Sequence, residues 1–397
     1  MHARHGRGRV LQLLTPSPAR VDSRCRHYEQ DRCGGCQLQH LDPASQRRAR
    51  QEIVQESLRR IGGRDIPLPP IVSGVEWEYR GRLTLTLHRR GAWWAGGLHP
   101  HDDPTRIFPL EECAIAHPIL VGVWQALRPL LRSNAPALPE ASAVRLALRL
   151  DESGMEAGSA PSVALVVEGG ASWPAREAWT TAARAAHPAV AQVLWTAEAP
   201  TTGTAALSTG VGPAAQEALA FAQVNAVVAN ALRAFVLGEV LALSPRRVVD
   251  AYAGTGRLAA VLAEAGVDVV AIEADPAGAE ASVARVRRAG PSVAGRVRVV
   301  CDLVERALPE AAGVSERPDV IVLNPPRRGV EAAVTRWLET EAGPSVRAVV
   351  YVSCDPGTLA RDVSRLPSWR VDAVQCFDMF PQTAHVETVC VLRREGA

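Results

Sequence analysis

Short apolar segments alternate with helix-like segments throughout the C-terminal half of the chain, and this alternation constrains the fold more than any other feature. The predicted strands are 246–250, 267–272, 296–300, 318–323 and 347–352, and the predicted helices are 214–241, 255–265, 276–289 and 329–340. Strands that are apolar on both faces and joined by helices form a parallel sheet that is covered on both sides. The pattern therefore predicts a doubly wound, Rossmann-like α/β domain over residues 206–397.

The preceding part of the chain follows a different period. Apolar and polar residues alternate one by one in segments such as 82–88 and 144–150. A period of two is typical of strands that are buried on one face only. We therefore predict a central domain over residues 71–205 that consists mainly of strands and turns.

Charge is distributed unevenly along the chain. The formal net charge is only +2, and all 44 Lys and Arg residues are arginine. Residues 1–110 hold 18 arginines against 11 acidic residues, a net charge of +7, which leaves −5 for the remainder. This asymmetry favours an anionic partner such as nucleic acid, with a solvated arginine-rich surface as the alternative. The sequence has no apolar run long enough for a membrane span or a signal peptide, so we expect a cytoplasmic protein with no membrane contact and no obligate protein partner.

Arginines are interleaved with aromatic rings at two places in the central domain. Trp77 and Tyr79 precede Arg80 and Arg82, and a pair of arginines precedes the tryptophans in 89–94. Arginine side chains can bind phosphates while aromatic rings stack on unpaired bases. Aromatic residues on a hairpin also pack into cores, so both roles remain open for each ring.

Acidic residues and glycines follow successive strands of the predicted parallel sheet. They are Asp250, Gly254, Gly256, Glu273 and Asp302. Open parallel sheets bind ligands at the carboxyl ends of their strands, where glycines allow close approach and an acidic residue binds a ribose diol. Glu273 is placed for the ribose and Asp302 for an adenine edge. The site is expected to bind a nucleotide-containing cofactor, and the turn alone fits NAD as well as S-adenosyl-L-methionine.

The fourth strand ends in the motif Asn324-Pro325-Pro326. This motif resembles a strand end of methyltransferases, where rigid prolines hold a polar side chain and carbonyl groups toward the transferred methyl group. The resemblance favours S-adenosyl-L-methionine over NAD.

A thiol and a carboxylate are expected near this cofactor. Cys354 follows the fifth strand in a polar Ser-Cys-Asp-Pro loop, and Glu387 precedes a short apolar strand that could return to the same cleft. Each residue has an ordinary alternative, a core cysteine and a solvated carboxylate. Together they suit methylation at carbon 5 of uracil, because a thiolate must first add to carbon 6 and a base must later remove the proton on carbon 5.

Seven spaced motifs resemble those of the RNA uracil-5 methyltransferase family, and most closely those of its iron–sulfur enzymes that act on 23S ribosomal RNA. The motifs lie at 33–40, 79–82, 221–225, 250–256, 325–327, 353–358 and 385–387. The resemblance covers about residues 8 to 392. It implies a class I methyltransferase domain and an RNA substrate, 23S rRNA rather than tRNA.

The resemblance also implies roles for individual residues. Cys354 corresponds to the nucleophile and Glu387 to the proton-abstracting base. The residues that correspond to the lining of the S-adenosyl-L-methionine site are Gln223, Tyr252, Glu273 and Asn324. Many family members have aspartate at position 324, although Asn-Pro-Pro-Arg-Arg-Gly also occurs in one branch.

Four cysteines form a candidate metal site in the N-terminal half. Cys25, Cys33 and Cys36 are clustered, and Cys113 lies far downstream. Four thiolates suit either a [4Fe-4S] cluster or a zinc ion. The resemblance favours the cluster, although the family's first spacing is often two residues shorter. Cys301, Cys376 and Cys390 lie in apolar strands and are assigned to the core.

The N-terminal segments complete the predicted organisation. Residues 25–70 are predicted to hold the clustered cysteines and a surface helix that starts at Asp42-Pro43 and ends before Gly62. Residues 1–24 resemble a remnant of the TRAM module, a small RNA-binding barrel, represented by what looks like its final strand. The chain is thus expected to have a four-cysteine segment, a β-rich RNA-binding domain and a methyltransferase domain.

Two other functions remain open. Asn-Pro-Pro also fits methylation of an amino group, which would leave Cys354 and Glu387 without a role. A catalytically degenerate member would instead act as an RNA-binding or ribosome-assembly protein, and Asn324 is the feature that suggests it.

Overall fold

The computed structural model describes residues 10, 12–132, 135–151, 160–197, 225–311 and 317–394. The strands among these residues are β1 (Ile71–Val72), β2 (Arg82–Arg90), β3 (Trp93–Leu98), β4 (Phe108–Pro109), β5 (Ala143–Asp151), β6 (Ser162–Glu168), β7 (Val190–Thr196), β8 (Arg247–Ala251), β9 (Asp268–Glu273), β10 (Val297–Cys301), β11 (Val320–Leu323), β12 (Ala348–Ser353), β13 (Trp369–Phe377) and β14 (Glu387–Arg394). The helices are α1 (Arg26–Glu29), α2 (Pro43–Arg60), α3 (Pro118–Leu127), α4 (Arg176–Ala186), α5 (Ala226–Leu241), α6 (Arg257–Glu264), α7 (Pro276–Arg288), α8 (Pro291–Ala294), α9 (Val304–Ala311), α10 (Ala332–Thr340) and α11 (Pro356–Ser364).

The C-terminal sheet has the strand order β1-β13-β14-β12-β11-β8-β9-β10. Strands β8 to β12 are mutually parallel, and β14 is antiparallel to both β12 and β13. Consecutive residues of one strand pack on opposite faces: Val249 belongs to one core cluster and Val248 to the other. The predicted α/β fold with a doubly covered sheet is confirmed, and the part of the predicted helix 214–241 before residue 225 lies outside the described residues.

Two elements from the N-terminal part of the chain are built into this C-terminal unit. Strand β1 pairs in parallel with β13 at the sheet edge. Helix α2 packs on α11, and Val54 and Leu58 of α2 are fully buried in one of the two core clusters. The helix begins where the sequence predicts, with the Asp42 carboxylate accepting a hydrogen bond from the Ser45 amide (2.9 Å). The domain boundaries at residues 25, 71 and 206 stay predictions.

The central sheet has the order β4-β3-β2-β5-β6-β7 and is antiparallel except between β6 and β7, which α4 connects. The leucines at 83, 85 and 87 point into its core as predicted. Besides the strands and turns, the segment contains the helices α3 and α4, which the sequence analysis did not predict. The buried residues of α3, Leu120, Val123, Trp124 and Leu127, have helical spacing and form the stripe that covers the sheet,.

Three smaller observations complete the fold. Cys376 and Cys390 are buried as predicted, but Cys301 is exposed, because it is the last residue of the edge strand β10. In the described part of the first 24 residues, Arg20 forms an isolated bridge with Leu41 and the expected strand is not formed. No helix in the described ranges combines the length and hydrophobicity that crossing a bilayer requires.

Candidate active site and four-cysteine cavity

The predicted site residues converge because of the sheet topology. Strands β8 to β12 are parallel, so their carboxyl ends lie at one edge of the sheet. Strand β14 runs in the opposite direction, so its first residue, Glu387, lies at the same edge. This edge is where open α/β sheets bind their ligands.

The turn after β8 needs left-handed backbone conformations at three positions. Tyr252, Gly254 and Gly256 have φ angles of +63°, +56° and +68°. A Cβ atom at Gly256 would overlap Ser282 of α7, so this glycine also permits close packing of two helices,. The turn leaves its backbone accessible beside the end of β9, which is the arrangement that a cofactor-binding turn requires.

Asp250 has an unusual environment at the end of β8. It is only 3% exposed, and its Oδ2 atom has no hydrogen-bond partner. Burial raises its pKa to about 7, against a hydrogen bond from the Ala259 amide that lowers it. A buried carboxylate oxygen without a partner is costly unless a bound group satisfies it. Asp250 therefore fits a ligand that carries a donor or a positive charge.

Glu273 is held by the backbone on both of its oxygen atoms. Its Oε2 accepts from the Gly254 amide (2.7 Å) and its Oε1 from the Asp275 amide (2.8 Å). Each carboxylate oxygen has a second lone pair, so the half-exposed side chain can still accept from hydroxyl groups. The interaction couples the glycine turn to the end of β9.

The remaining predicted cofactor residues differ in how firmly the structure places them. Asp302 follows β10 and forms an ion pair with Arg306 (2.6 Å), which lowers the pKa of Asp302 through hydrogen bonding. Asn324 follows β11, and its side chain is exposed at the edge. The backbone amide of Asn324 donates a hydrogen bond to the carbonyl oxygen of Ala251 (3.2 Å). Gln223 lies outside the described residues.

Cys354 and Glu387 lie side by side. Ser353, the last residue of β12, pairs with Thr388 of β14 in an antiparallel register, so Cys354 and Glu387 each adjoin this last pair. Burial, followed by the negative charge of Glu387, raises the pKa of the half-buried Cys354 thiol. Glu387 is 6% exposed, and burial raises its pKa to about 7.

Two further residues face this pair, and the sequence predictions did not assign them roles. The positive charge of Arg327 lowers the pKa of both Cys354 and Glu387. Burial, followed by Arg327, lowers the pKa of His385. Both residues lie within motifs that the sequence analysis singled out, Arg327 directly after Pro325-Pro326 and His385 two residues before Glu387. Their position in those motifs was the available signal.

The four predicted metal-ligand cysteines line one cavity of about 330 Å³. Burial raises the pKa of the Cys33 thiol to about 11, that of Cys36 to about 12 and that of Cys113 above its usual range, and the neighbouring thiols raise each further. In the described part of the chain, no three His, Cys, Asp or Glu side chains lie close enough together to hold a single metal ion. The cysteines share a cavity, but they do not form a compact mononuclear site.

Some aromatic residues of the central domain pack into its core, and others are at least partly exposed and available for contact with nucleic acid. Tyr79 and Trp94 are buried, whereas Trp93 is 45% exposed. The guanidinium of Arg24 lies over the ring of Trp77, 5.2 Å from its centroid. Trp93 and Trp77 thus remain candidates for nucleic-acid contact.

Arginines also face each other on the side of the central sheet opposite its core. Arg82 of β2 lies directly opposite Arg149 of β5, and Thr86 lies opposite Arg145. Burial, followed by the charge of Arg82, lowers the pKa of Arg149 to about 10. Like charges directly opposite each other destabilise a sheet. The buried Glu168 of β6, which forms an ion pair with Arg145 (3.1 Å) and raises the pKa of Arg149, offsets part of this repulsion.

Comparisons with known proteins agree with the geometry. The family model for tRNA (uracil-5-)-methyltransferases matches residues 214–395. The 23S rRNA (uracil(1939)-C(5))-methyltransferase RlmD of Thiobacillus denitrificans is 31% identical over 99% of this chain and 90% of its own length. The enzyme of the same name from Nitrosococcus oceani is 30% identical over 98% of this chain and 86% of its own length.

A solved structure shares the overall fold. The tRNA (uracil-54, C5)-methyltransferase of Pyrococcus abyssi, in complex with S-adenosyl-L-homocysteine, has a TM-score of 0.67 and 21% identity. The match covers 96% of this chain and 87% of that one. With the near full-length sequence relatives, these matches lead to one assignment. This chain belongs to the RNA uracil-5 methyltransferase family.

Proposed function

We propose that this protein methylates carbon 5 of a uridine in RNA, with S-adenosyl-L-methionine as methyl donor. The observation that carries the proposal is the placement of Cys354 beside Glu387, at the sheet edge that also holds the glycine turn. A thiol and a titratable carboxyl group at that edge are the two groups that this chemistry requires.

The residues around the glycine turn fit the cofactor. Bound S-adenosyl-L-methionine supplies an electrophilic methyl group on a positively charged sulfur. Asp250 offers a buried, unpartnered carboxylate oxygen toward a donor or cation. Glu273 and Asp302 follow the next two strands and suit the ribose and adenine, and Tyr252, Gly254, Gly256 and Asn324 complete the described lining, to which the resemblance adds Gln223.

The chemistry then assigns one task to each reacting side chain. Cys354 Sγ, as a thiolate, forms a bond to carbon 6 of uracil, which makes carbon 5 nucleophilic. After carbon 5 has taken the methyl group, the Glu387 carboxylate removes its proton and the bond from Cys354 to carbon 6 breaks. A carboxyl group with a pKa near 7 is well suited to accept a proton at neutral pH,. Arg327 favours the anionic form of both side chains.

We infer that the four-cysteine cavity holds an iron–sulfur cluster. Cys25, Cys33, Cys36 and Cys113 supply four soft donors around a space of about 330 Å³. Four thiolates could hold either a zinc ion or a [4Fe-4S] cluster. The resemblance to the iron–sulfur enzymes of the family favours the cluster. Such a cluster would tie the N-terminal segment to the central domain.

The RNA substrate is proposed to contact the central domain. The opposing arginines of β2 and β5 and the exposed ring of Trp93 suit phosphates and unpaired bases respectively,. The target uridine must leave its stack to reach Cys354, which favours a loop or an opened region. Two near full-length relatives are named as 23S rRNA enzymes, which supports ribosomal RNA over tRNA as the substrate.

A trapping experiment tests this proposal. In 5-fluorouridine RNA, the fluorine on carbon 5 cannot be removed as a proton, so the bond between Cys354 and carbon 6 should persist. We expect a cofactor-dependent, denaturation-resistant complex between the protein and a fluorinated 23S transcript. Cys354→Ala should abolish the complex, whereas Cys301→Ala, which removes an exposed thiol on β10, separated from β12 by three strands of the sheet, should not. Cofactor binding without any complex would favour amino-group methylation or a non-catalytic RNA-binding role.

A further inference from the structure

The loop that leads to Glu387 is held by residues from the N-terminal part of the chain. We call residues 378–386, which connect β13 to β14, the base loop. The Tyr79 hydroxyl donates a hydrogen bond to the carbonyl oxygen of Pro381 (2.9 Å), and Arg50 Nη1 donates to that of Thr383 (2.8 Å). These donors precede their acceptors by 302 and 333 residues in the sequence. The base loop is therefore fixed by long-range contacts as well as by its own sheet.

Hydrogen bonds fix both the side chain and the backbone of Gln382, at the centre of the base loop. Its φ angle of +70° is rare for a residue with a side chain and persists only where the surroundings fix it,. Gln46 Nε2 donates to Gln382 Oε1 (2.9 Å), and the Gln382 amide donates to Gln46 Oε1 (3.0 Å). The Gln382 carbonyl oxygen accepts from the amides of Gln37 and Leu38, both at 3.0 Å. The contacts that hold this conformation thus come from the first 50 residues of the chain.

Helix α2 provides two buried polar residues, Gln46 and Arg50, that contact the base loop. Gln46, Arg50, Val54 and Leu58 form one buried stripe at a spacing of four residues. The two apolar members fill the core beneath the sheet, but the two polar members contact the base loop instead. Buried glutamine and arginine are uncommon, and core packing alone would not require them here.

A buried ion pair fixes the start of the base loop. Arg50 Nη2 lies 2.7 Å from Asp378 Oδ2, and their side chains are 1% and 2% exposed. The Asp378 amide donates to the carbonyl oxygen of Val72 (2.8 Å). Burying such a pair contributes little net stability compared with apolar side chains, but removing one partner leaves an uncompensated buried charge.

The same contacts connect the base loop to the cysteine-bearing segment. Gln37 directly follows Cys36, and its Oε1 accepts from the Ala384 amide (3.3 Å). Three residues after Ala384 the chain reaches Glu387. The path from the cysteine segment to this carboxyl group is therefore short and runs through the side chain and the backbone amide of Gln37.

We propose that Gln46, Arg50 and Tyr79 are positioning residues for Glu387, which they hold against Cys354 through the base loop. The inference rests on the proposed function, because it concerns the step in which Glu387 removes the proton from carbon 5. Loss of a positioning contact displaces the carboxyl group without altering Cys354. Thiol addition and methyl transfer then continue, whereas proton removal and release of the thiol become slow.

This separation of steps gives the test a distinctive signature. Gln46→Ala removes both side-chain contacts to Gln382, and Tyr79→Phe removes only the hydroxyl group that contacts Pro381. Gln55→Ala is the matched control, because Gln55 lies on the same helix and donates to the carbonyl oxygen of Ile66 (2.9 Å), away from the base loop. All variants are made in the full-length protein, prepared without oxygen, and assayed with 23S transcripts labelled with tritium at uracil carbon 5.

For Gln46→Ala and Tyr79→Phe we expect tritium release to slow roughly 10- to 100-fold, the scale of a misplaced general base. Methylated RNA bound covalently to the protein should accumulate, as seen on denaturing gels. Hydrogen exchange of the amides in 378–387 should be faster than in the wild type. The Gln55→Ala protein should behave as the wild type in all three measurements.

Two results would overturn the positioning role. One is tritium release within about twofold of wild type in both variants, and the other is slower release without accumulation of the methylated covalent complex. A wild-type protein that neither releases tritium nor forms a complex would instead contradict the proposed function, and the positioning role with it. The two failures are thus distinguishable.

Discussion

Replacing Glu387 with glutamine should stabilise the folded protein while it abolishes turnover. Glu387 is almost completely buried, and burial raises its pKa from 4.5 to about 7. A buried carboxyl group with a raised pKa holds its proton more tightly in the folded than in the unfolded protein. Its contribution to stability is therefore largest below pH 4.5 and is lost as the pH rises through about 7,.

The size of the effect follows from these two pKa values. Between pH 5 and pH 8 the wild-type free energy of unfolding should fall by about 2 to 3 kcal/mol because of this residue. The amide of Glu387→Gln does not titrate, so this variant should lack that decrease. Asp250, whose pKa is also raised to about 7, is present in both proteins, and its contribution cancels in the comparison.

Denaturant unfolding at pH 5, 6, 7 and 8, followed by fluorescence, measures the difference between the two proteins. Glu280→Gln, an exposed position on α7, is the control and should change the free energy of unfolding by less than about 0.5 kcal/mol at every pH. A difference between the wild type and Glu387→Gln that does not vary with pH would refute the argument that burial raises the pKa of this carboxyl group.

Three further predictions concern the cofactor, cluster and RNA sites. Gly256→Ala should abolish S-adenosyl-L-methionine binding in calorimetry, because the added methyl group overlaps Ser282 and the left-handed φ angle disfavours alanine. An unchanged affinity would contradict the assignment of this turn to the cofactor. Cys113→Ser should lower the iron content of anaerobically purified protein and its visible absorbance. Zinc in the wild type at one ion per chain would contradict the cluster. Arg149→Gln should weaken RNA binding and reduce the slope of log affinity against log salt concentration by about one. Arg370→Gln, on the other sheet, is the control. Equal slopes for the wild type and Arg149→Gln would refute the role of Arg149.

The C-terminal fold could be predicted closely because buried parallel strands leave a direct trace in the sequence. Each strand from β8 to β12 is a short, continuous apolar run, and the predicted bounds agree with the observed ones within about two residues. The acidic and glycine residues at the strand ends were found for the same reason. Their positions depend only on where each strand stops.

Contacts between distant segments could not be predicted in this way. The addition of β1 to the C-terminal sheet and the pairing of Gln46 with Gln382 join residues more than 300 positions apart. No local periodicity encodes them. Helix α3 was missed because its segment is short and almost wholly apolar, which makes the helical spacing of Leu120, Val123, Trp124 and Leu127 hard to distinguish from a buried strand,.

The placement of Cys354 and Glu387 could be predicted in part from the sequence. The sequence indicated that both residues belong to one cleft, but the register of β12 and β14 is what places both of them next to the pair Ser353 and Thr388. Register depends on the pairing of strands that are far apart in the chain, with β13 between them in sequence. The presence of both residues at one edge of the sheet was therefore predictable from the sequence, whereas their relative position was not.

Release of tritium from carbon 5 of uracil tests the central claim most directly. The assay uses labelled 23S transcripts, S-adenosyl-L-methionine and anaerobically prepared protein, with Cys354→Ala as the inactive control. We expect release that requires the cofactor and disappears in the Cys354→Ala protein. Absence of release from ribosomal and transfer RNA, with cofactor binding demonstrated in the same preparation, would contradict it.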